Sequence, residues 1–244
     1  MYIKKPAELK LIAEGGQIMG EILDQLVKMV KPGASAWDID AEAERLIRAA
    51  GGIPAFKGYR SHKSDPAFPS TICFSRNEEI VHGIATKEKI IQSGDIISLD
   101  IGMQYPAPVG TKKGFFTDTA LTIPVGKVSA EITKLLAVTY QAMEMGIKAA
   151  QPGKSVADIG RAIEQYVHSQ GKYGIVRDLV GHGVGHEVHE EPRVPNFYDA
   201  RLETWILQPG AVIAIEPMIA LGTHKVTIGP DKWTILSADS KWNA

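Results

Sequence analysis

Asp100, Asp118 and Glu216 stand within or directly beside apolar, β-like runs, and His182 stands between glycines in LVGHGVGHEVHEEP. A carboxylate in such a run is costly to bury unless it is paired, hydrogen-bonded or bound to a cation. Taken singly, Asp100 and Glu216 read as salt-bridge or capping residues, and Asp118 as a loop Asp capping its own turn. Taken together, acids and imidazole without a thiolate suit manganese, iron, cobalt or zinc held for chemistry. Several carboxylates can bridge two ions. Two ions can clamp a water and a carbonyl together, which is the mechanics of metal-assisted amide hydrolysis. Further imidazoles come from His82 in NEEIVHG and from His186 and His189. For His82 alone, a satisfied turn histidine is the commoner case.

Other chemistries fit less well. There is no H-E-x-x-H helix, no G-x-S-x-G elbow, no phosphate-cradling loop and no dinucleotide fingerprint after a first strand. Cys73 reads as a buried structural thiol. It is the one cysteine, so no intramolecular disulfide can form, and a reducing, cytoplasmic setting is expected. The net charge of −1 comes without a basic block, which argues against nucleic acid as a main partner. The N-terminus lacks a signal-like apolar core, and no run approaches membrane-spanning length. With 244 residues, 44% of them apolar, the chain can bury a core without a structural metal.

The elements that must position these groups come in two similar sets. KPGASAWDIDAEAERLIRAAGG, from Lys31, aligns with QPGKSVADIGRAIEQYVHSQGK, from Gln151. Each has a Pro-Gly break, a Ser N-cap followed by Asp, apolar residues at helical spacing and a closing Gly. KIIQSGDIISLD, ending at Asp100, aligns with WILQPGAVIAIE, ending at Glu216. The spacing predicts helices over about 7–30, 36–50, 129–150 and 155–170. It also predicts strands in TICFSR, DIISLDIG, TDTALTIPV, IVRDLV, AVIAIEPM and KVTIGP. Residues 60–70 and 103–116 read as loops. The expectation is a single α+β domain, with halves of about 1–124 and 125–244 related by an approximate two-fold axis. Helices would cover a mostly antiparallel sheet, and Asp100 would approach Glu216.

Seven stretches, in order along nearly the whole chain, resemble the type I methionine aminopeptidases of the pita-bread fold. They are FKGY (56–59), NEEIVHG (77–83), GDIISLDIG (94–102), TDTA (117–120), GHGVG with HEEPRVPN (181–196), PGAVIAIEPM (209–218) and DKWTILSADSKW (231–242). The resemblance implies two divalent ions held by Asp100, Asp118, His182 and Glu216, with Asp118 bridging. It implies His82 near the leaving peptide nitrogen and His189 on the scissile carbonyl. It implies a methionine pocket of Tyr59, Phe68, Cys73 and Trp233. The activity implied is removal of initiator methionine by attack of a metal-activated water on the first peptide bond. The partners implied are nascent-protein N-termini and, transiently, the ribosome, with the chain acting as a monomer.

Three departures from that pattern stand out. Loops 60–67 and 103–116 are longer and are expected to flank the cleft. Val188 replaces a larger residue, implying a wider pocket. The family's fifth ligand, a glutamate on a final strand, would fall just past Ala244, so the chain reads as truncated, with weakened metal binding and turnover. The alternatives are a non-catalytic pita-bread homologue binding a protein or RNA, and a proline-directed peptidase or creatine-type amidohydrolase.

Overall fold

The computed structural model describes residues 1–60, 62–110 and 113–244. Two helices, α1 (Pro6–Val27) and α2 (Ala36–Ala49), open the chain. α1 begins on Pro6, whose missing N–H costs nothing at a helix start, and Glu8 accepts from the Lys5 amide. In α2, Ser35 Oγ accepts from the Asp38 amide, satisfying one of the orphan donors of the first turn.

Five strands follow: β1 (Ile53–Pro54), β2 (Ile72–Arg76), β3 (Glu79–Val81), β4 (Ile96–Tyr105) and β5 (Phe115–Pro124). β4 is the axis of the first sheet and pairs antiparallel with β1, β2 and β5. α1 and α2 close its apolar face with Met19, Leu26, Ile39 and Ile47, over Ile72, Phe74, Ile97, Leu99 and Ile101.

The pattern then recurs. α3 (Ala130–Ala149) is capped by Ser129, and α4 (Val156–Gln170) by Ser155. Short strands follow: β6 (Gly174–Ile175), β7 (Gly181–Gly183), β8 (Glu190–Val194), β9 (Ile219–Ala220), β10 (Val226–Ile228) and β11 (Ile235–Ser237), with a 3₁₀ turn at Ala200–Leu202. β6 pairs with β9, β7 with β8, and β10 with β11, which also pairs with β3. All of these pairings are antiparallel. A second core of Leu135, Ile159, Ile163, Val194 and Ile219 lies under α3 and α4.

The backbone repeats along with the sequence. The Gly33 amide donates to the Ile91 carbonyl at 2.9 Å, and the Gly153 amide to the Leu207 carbonyl at 2.9 Å. Isolated antiparallel bridges link Ser35 to Ile90 and Ser155 to Ile206. The aligned Pro-Gly turns thus dock on aligned turns before Asp100 and before Glu216.

Three expectations need correction. Residues 103–105 and 115–116 are strand rather than loop, because the β4–β5 ladder runs on to Tyr105 opposite Phe115. Of IVRDLV, only Ile175 lies in a strand, at the end of β6. AVIAIEPM forms no regular strand: it makes single backbone bonds to β7 and to Val176, such as Ala214 N–H to the His182 carbonyl at 2.7 Å. Among the described residues, no helix is long and apolar enough to cross a membrane.

Candidate metal centre

The register of the first sheet places its acids. Cys73 on β2 lies opposite Asp100 on β4, and Asp100 lies opposite Ala120 on β5. Asp118 is two residues before Ala120, hence a diagonal neighbour of Asp100 on the same face. The two carboxyls lie close enough for each to perturb the other's ionisation. Gly102, directly across from Asp118, has no side chain to occupy that face, and a Cβ there would come within 2.6 Å of the Phe56 ring.

The second set arrives from the other side. His182 is on β7, and glycine on both sides of it is a steric requirement. A Cβ at Gly181 would sit 2.2 Å from the Ala214 carbonyl oxygen, and one at Gly183 would sit 2.6 Å from that of Glu191. β7 can therefore press against the segment that carries Glu216. The His182 Nδ1 lies 2.9 Å from the Gly183 carbonyl oxygen, so in the neutral ring Nδ1 holds the proton and the Nε2 lone pair faces the acids. Nε2 is 3.1 Å from Glu216 and 3.6 Å from Asp118.

One ligand atom each from Asp118, His182 and Glu216 lies within 4.8 Å of the others. Glu216 Oε1 is buried with His182 Nε2 3.1 Å away, and while the neutral ring keeps its proton on Nδ1 that oxygen receives no hydrogen bond. Three acids, an imidazole and an unserved carboxylate oxygen make a donor set that fits a divalent cation. The clustered groups also perturb one another's ionisation. Burial and the Glu216 charge push Asp100 up to about 7. Burial, then the Asp100 and Glu216 charges, push Asp118 well above the carboxylate range. Burial lowers His182, but in the charged ring Nε2–H can donate to Glu216, and this with the surrounding acceptors and charges outweighs burial and carries the ring up to about 8.

These groups form one end of a cavity of about 190 Å³. Every residue that the resemblance implies lines it: Asp100, Asp118, His182 and Glu216, His82 and His189, and Tyr59, Phe68, Cys73 and Trp233. His189 Nδ1 is 3.1 Å from the Tyr59 hydroxyl. Loss of hydration and the nearby His182 push His189 down to about 4. His82 has φ +57°, and a Cβ on the next residue, Gly83, would clash with the Phe74 carbonyl oxygen at 2.3 Å. The turn is held in a rare conformation that puts its imidazole in the cavity. Burial lowers the His82 pKa, and burial with the Asp100 charge pushes the Cys73 thiol well up.

Some details differ from expectation. Val188 does not line the cavity. It packs behind it with Phe56, Phe68 and Cys73, so the smaller side chain does not widen the pocket directly. His186 faces the rings of Tyr2 and Phe115 instead of the acids. Asp65 and Pro66 line a neighbouring cavity of about 320 Å³, with His82, Lys232, Trp233 and Ile235, so loop 60–67 does flank the site. Of the two long loops, residues 61, 111 and 112 lie outside the described residues. Sequence reasoning missed Phe56, Val81, Leu179, Val180 and Met218 as lining residues. Met218 stands two residues after Glu216, and that proximity was the available signal.

The model of metallopeptidase family M24 matches residues 10–234. The chain belongs to metallopeptidase family M24. Within this family it is similar to a methionine aminopeptidase of Clostridium acetobutylicum, 40% identical over 98% of this chain and 90% of the relative. A methionine aminopeptidase of Bacillus subtilis is also 40% identical, over 98% of this chain and 90% of its own. The crystal structure of a methionine aminopeptidase from Thermotoga maritima superposes with a TM-score of 0.89 at 34% identity, covering 100% of this chain and 92% of that one. The Pyrococcus furiosus prolidase, at 24% identity and a TM-score of 0.72, covers 89% of this chain and 57% of its own and shares the fold. This M24 chain thus has the pita-bread architecture.

Proposed function

We propose that this M24 chain is a metal-dependent aminopeptidase that removes methionine from peptide and nascent-protein N-termini. The observation that carries the reading is the convergence of Asp118, His182 and Glu216 at one end of an apolar cavity, with Glu216 Oε1 buried and unserved. In this reading Asp100, Asp118, His182 and Glu216 hold two divalent ions of the manganese, iron, cobalt or zinc class. Bound there, such ions supply Lewis acidity toward the carbonyl and lower the pKa of water. The likeness to the relatives named methionine aminopeptidase supports methionine as the residue removed.

The chain's own residues do the rest. Phe68, Cys73, Tyr59 and Trp233 offer an aromatic and sulfur-lined wall suited to a thioether. With the Tyr59 hydroxyl donating to His189 Nδ1, the proton of the neutral ring sits on Nε2, which donates to the scissile carbonyl oxygen as it gains charge. His82, kept neutral by burial, serves the leaving amine from the opposite side. The rest of the peptide leaves past His82 and Trp233 into the second cavity, beside loop 60–67. The reading treats the chain as one catalytic domain of two halves, about 1–124 and 125–244. It acts as a cytoplasmic monomer that visits the ribosome transiently.

The test is release of free methionine from a Met-Ala-Ser peptide with manganese or cobalt, before and after chelation. Release that stops on chelation, returns with metal and is absent in His182→Ala supports the proposal. No release, or release unchanged in His182→Ala, sinks it.

A further inference from the structure

The five residues ahead of α1 form no secondary structure, yet Lys4 is one of the most deeply buried charged groups in the molecule. Its side chain and that of Glu190 are each 1% exposed, and they form an ion pair between residues 186 positions apart. Two charges are taken out of water only at a large desolvation cost, which a well-made pair offsets.

The geometry around the pair is specific. Gly185 has φ +140°, and a Cβ there would come within 2.5 Å of Lys4 Cε, so the glycine leaves the channel through which the lysine reaches inward. The Lys4 amide donates to the Gly210 carbonyl at 2.9 Å, fixing the backbone at the channel's mouth. Glu190 uses its other oxygen for the loop itself. Oε1 accepts from the His186 amide at 2.5 Å and from the Glu187 amide at 3.1 Å. That loop joins β7, which carries His182, to β8, and its last residue is His189.

The geometry points to Lys4 as a positioning residue. Its ammonium neutralises Glu190, Glu190 folds the 184–189 loop around its second oxygen, and the folded loop sets His189 against Tyr59 and the substrate carbonyl. Lys4 touches neither substrate nor metal ligand, and it acts through Glu190. This inference rests on the aminopeptidase reading for its kinetic consequence but not for its structural one.

The test compares the wild type, Lys4→Met and Lys4→Met/Glu190→Gln in the full, metal-loaded chain. Two readouts are taken: amide hydrogen exchange at His186 and Glu187, and kcat and KM on Met-Ala-Ser. Lys4→Met strands the Glu190 charge. The two amides then exchange faster while those of α2 and α4 do not, and kcat falls by about 10- to 100-fold, the scale of a misplacement of ~1 Å. KM stays within about twofold, as for an interaction made in the transition state. Adding Glu190→Gln removes the stranded charge but keeps an acceptor for both amides, so exchange and kcat move part of the way back. Wild-type exchange at both amides in Lys4→Met, an unchanged kcat, or a double variant no better than the single one overturns the proposal. Should Lys4→Met not fold, the double variant must still exchange faster at these amides than wild type, and wild-type exchange overturns it. If the wild type itself releases no methionine, the aminopeptidase reading fails, and the exchange result still decides the role of Lys4.

Discussion

The segments ending in Asp100 and in Glu216 start from similar sequences and finish differently. Asp100 lies in a ten-residue strand, paired on both sides and backed by a core of large aliphatic side chains. Glu216 lies in an irregular stretch held by single backbone bonds to β7 and Val176, with Gly181 pressed against the Ala214 carbonyl. One carboxylate is fixed by a ladder, the other by close approach of two backbones. The difference teaches that the site joins a rigid face to an adjustable one, and that glycines do for the second what strand pairing does for the first.

The comparison breaks most decisively at the acids. Glu216→Gln and Asp118→Asn are expected to weaken manganese binding by more than about 100-fold, beyond the 10–100-fold typical of residues that only support ligands. Titration calorimetry reads this. Retained binding in Glu216→Gln would mean that the second segment is not part of the metal site.

The metal-free protein should show the cost of assembling these groups through its pH dependence. The folded pKa of Asp100, about 7, lies above its ordinary 3.8. The folded state therefore binds this proton more tightly, and the associated stability is full below about pH 4 and lost as pH rises through 7. His182, raised from 6.5 to about 8, adds stability that is full below 6.5 and lost as pH rises through 8. Both shifts make the metal-free chain less stable between pH 6 and 8, and bound manganese should offset that loss. Melting curves with and without manganese check this, and a metal-free Tm that rises over this window contradicts it.

Gly181→Ala sharpens the difference between the two segments. Overpacking of this kind costs about 1–3 kcal/mol. Because the displaced backbone carries His182, metal affinity should fall along with Tm. A fall in Tm with metal affinity intact would mean that β7 does not need close contact to place its imidazole.

Legibility from sequence followed the same division. Helix starts were readable because Ser35 and Ser155 cap locally, and a cap needs only residues within one turn. The acids were readable because a charge inside an apolar run demands an explanation. The irregular course of AVIAIEPM was not readable, since its apolar residues suit a strand and only contact with β7 and its glycines decides otherwise. The ends of β4 and β5 were misread because the Pro, Gly and Lys content between them marks the hairpin but not how far the ladder climbs. The Lys4–Glu190 pair was invisible, since nothing local in either segment foretells a partner 186 residues away.

The smallest expected difference lies at the helix caps. Ser35→Ala and Ser155→Ala should each cost about 1 kcal/mol. The second should cost more, because the Ser155 hydroxyl also donates to the Asp158 carboxylate. Denaturant unfolding of the two variants would show equal losses if the reciprocal cap adds nothing.

The most direct test of the central claim is a crystal soaked in manganese and measured for anomalous scattering. The account predicts a peak within ligand distance of Asp118, His182 and Glu216, so that β5 of the first half and the β7 and Glu216 stretches of the second hold one ion. A map with no peak there, or with manganese bound by residues of only one of the two halves, would contradict it.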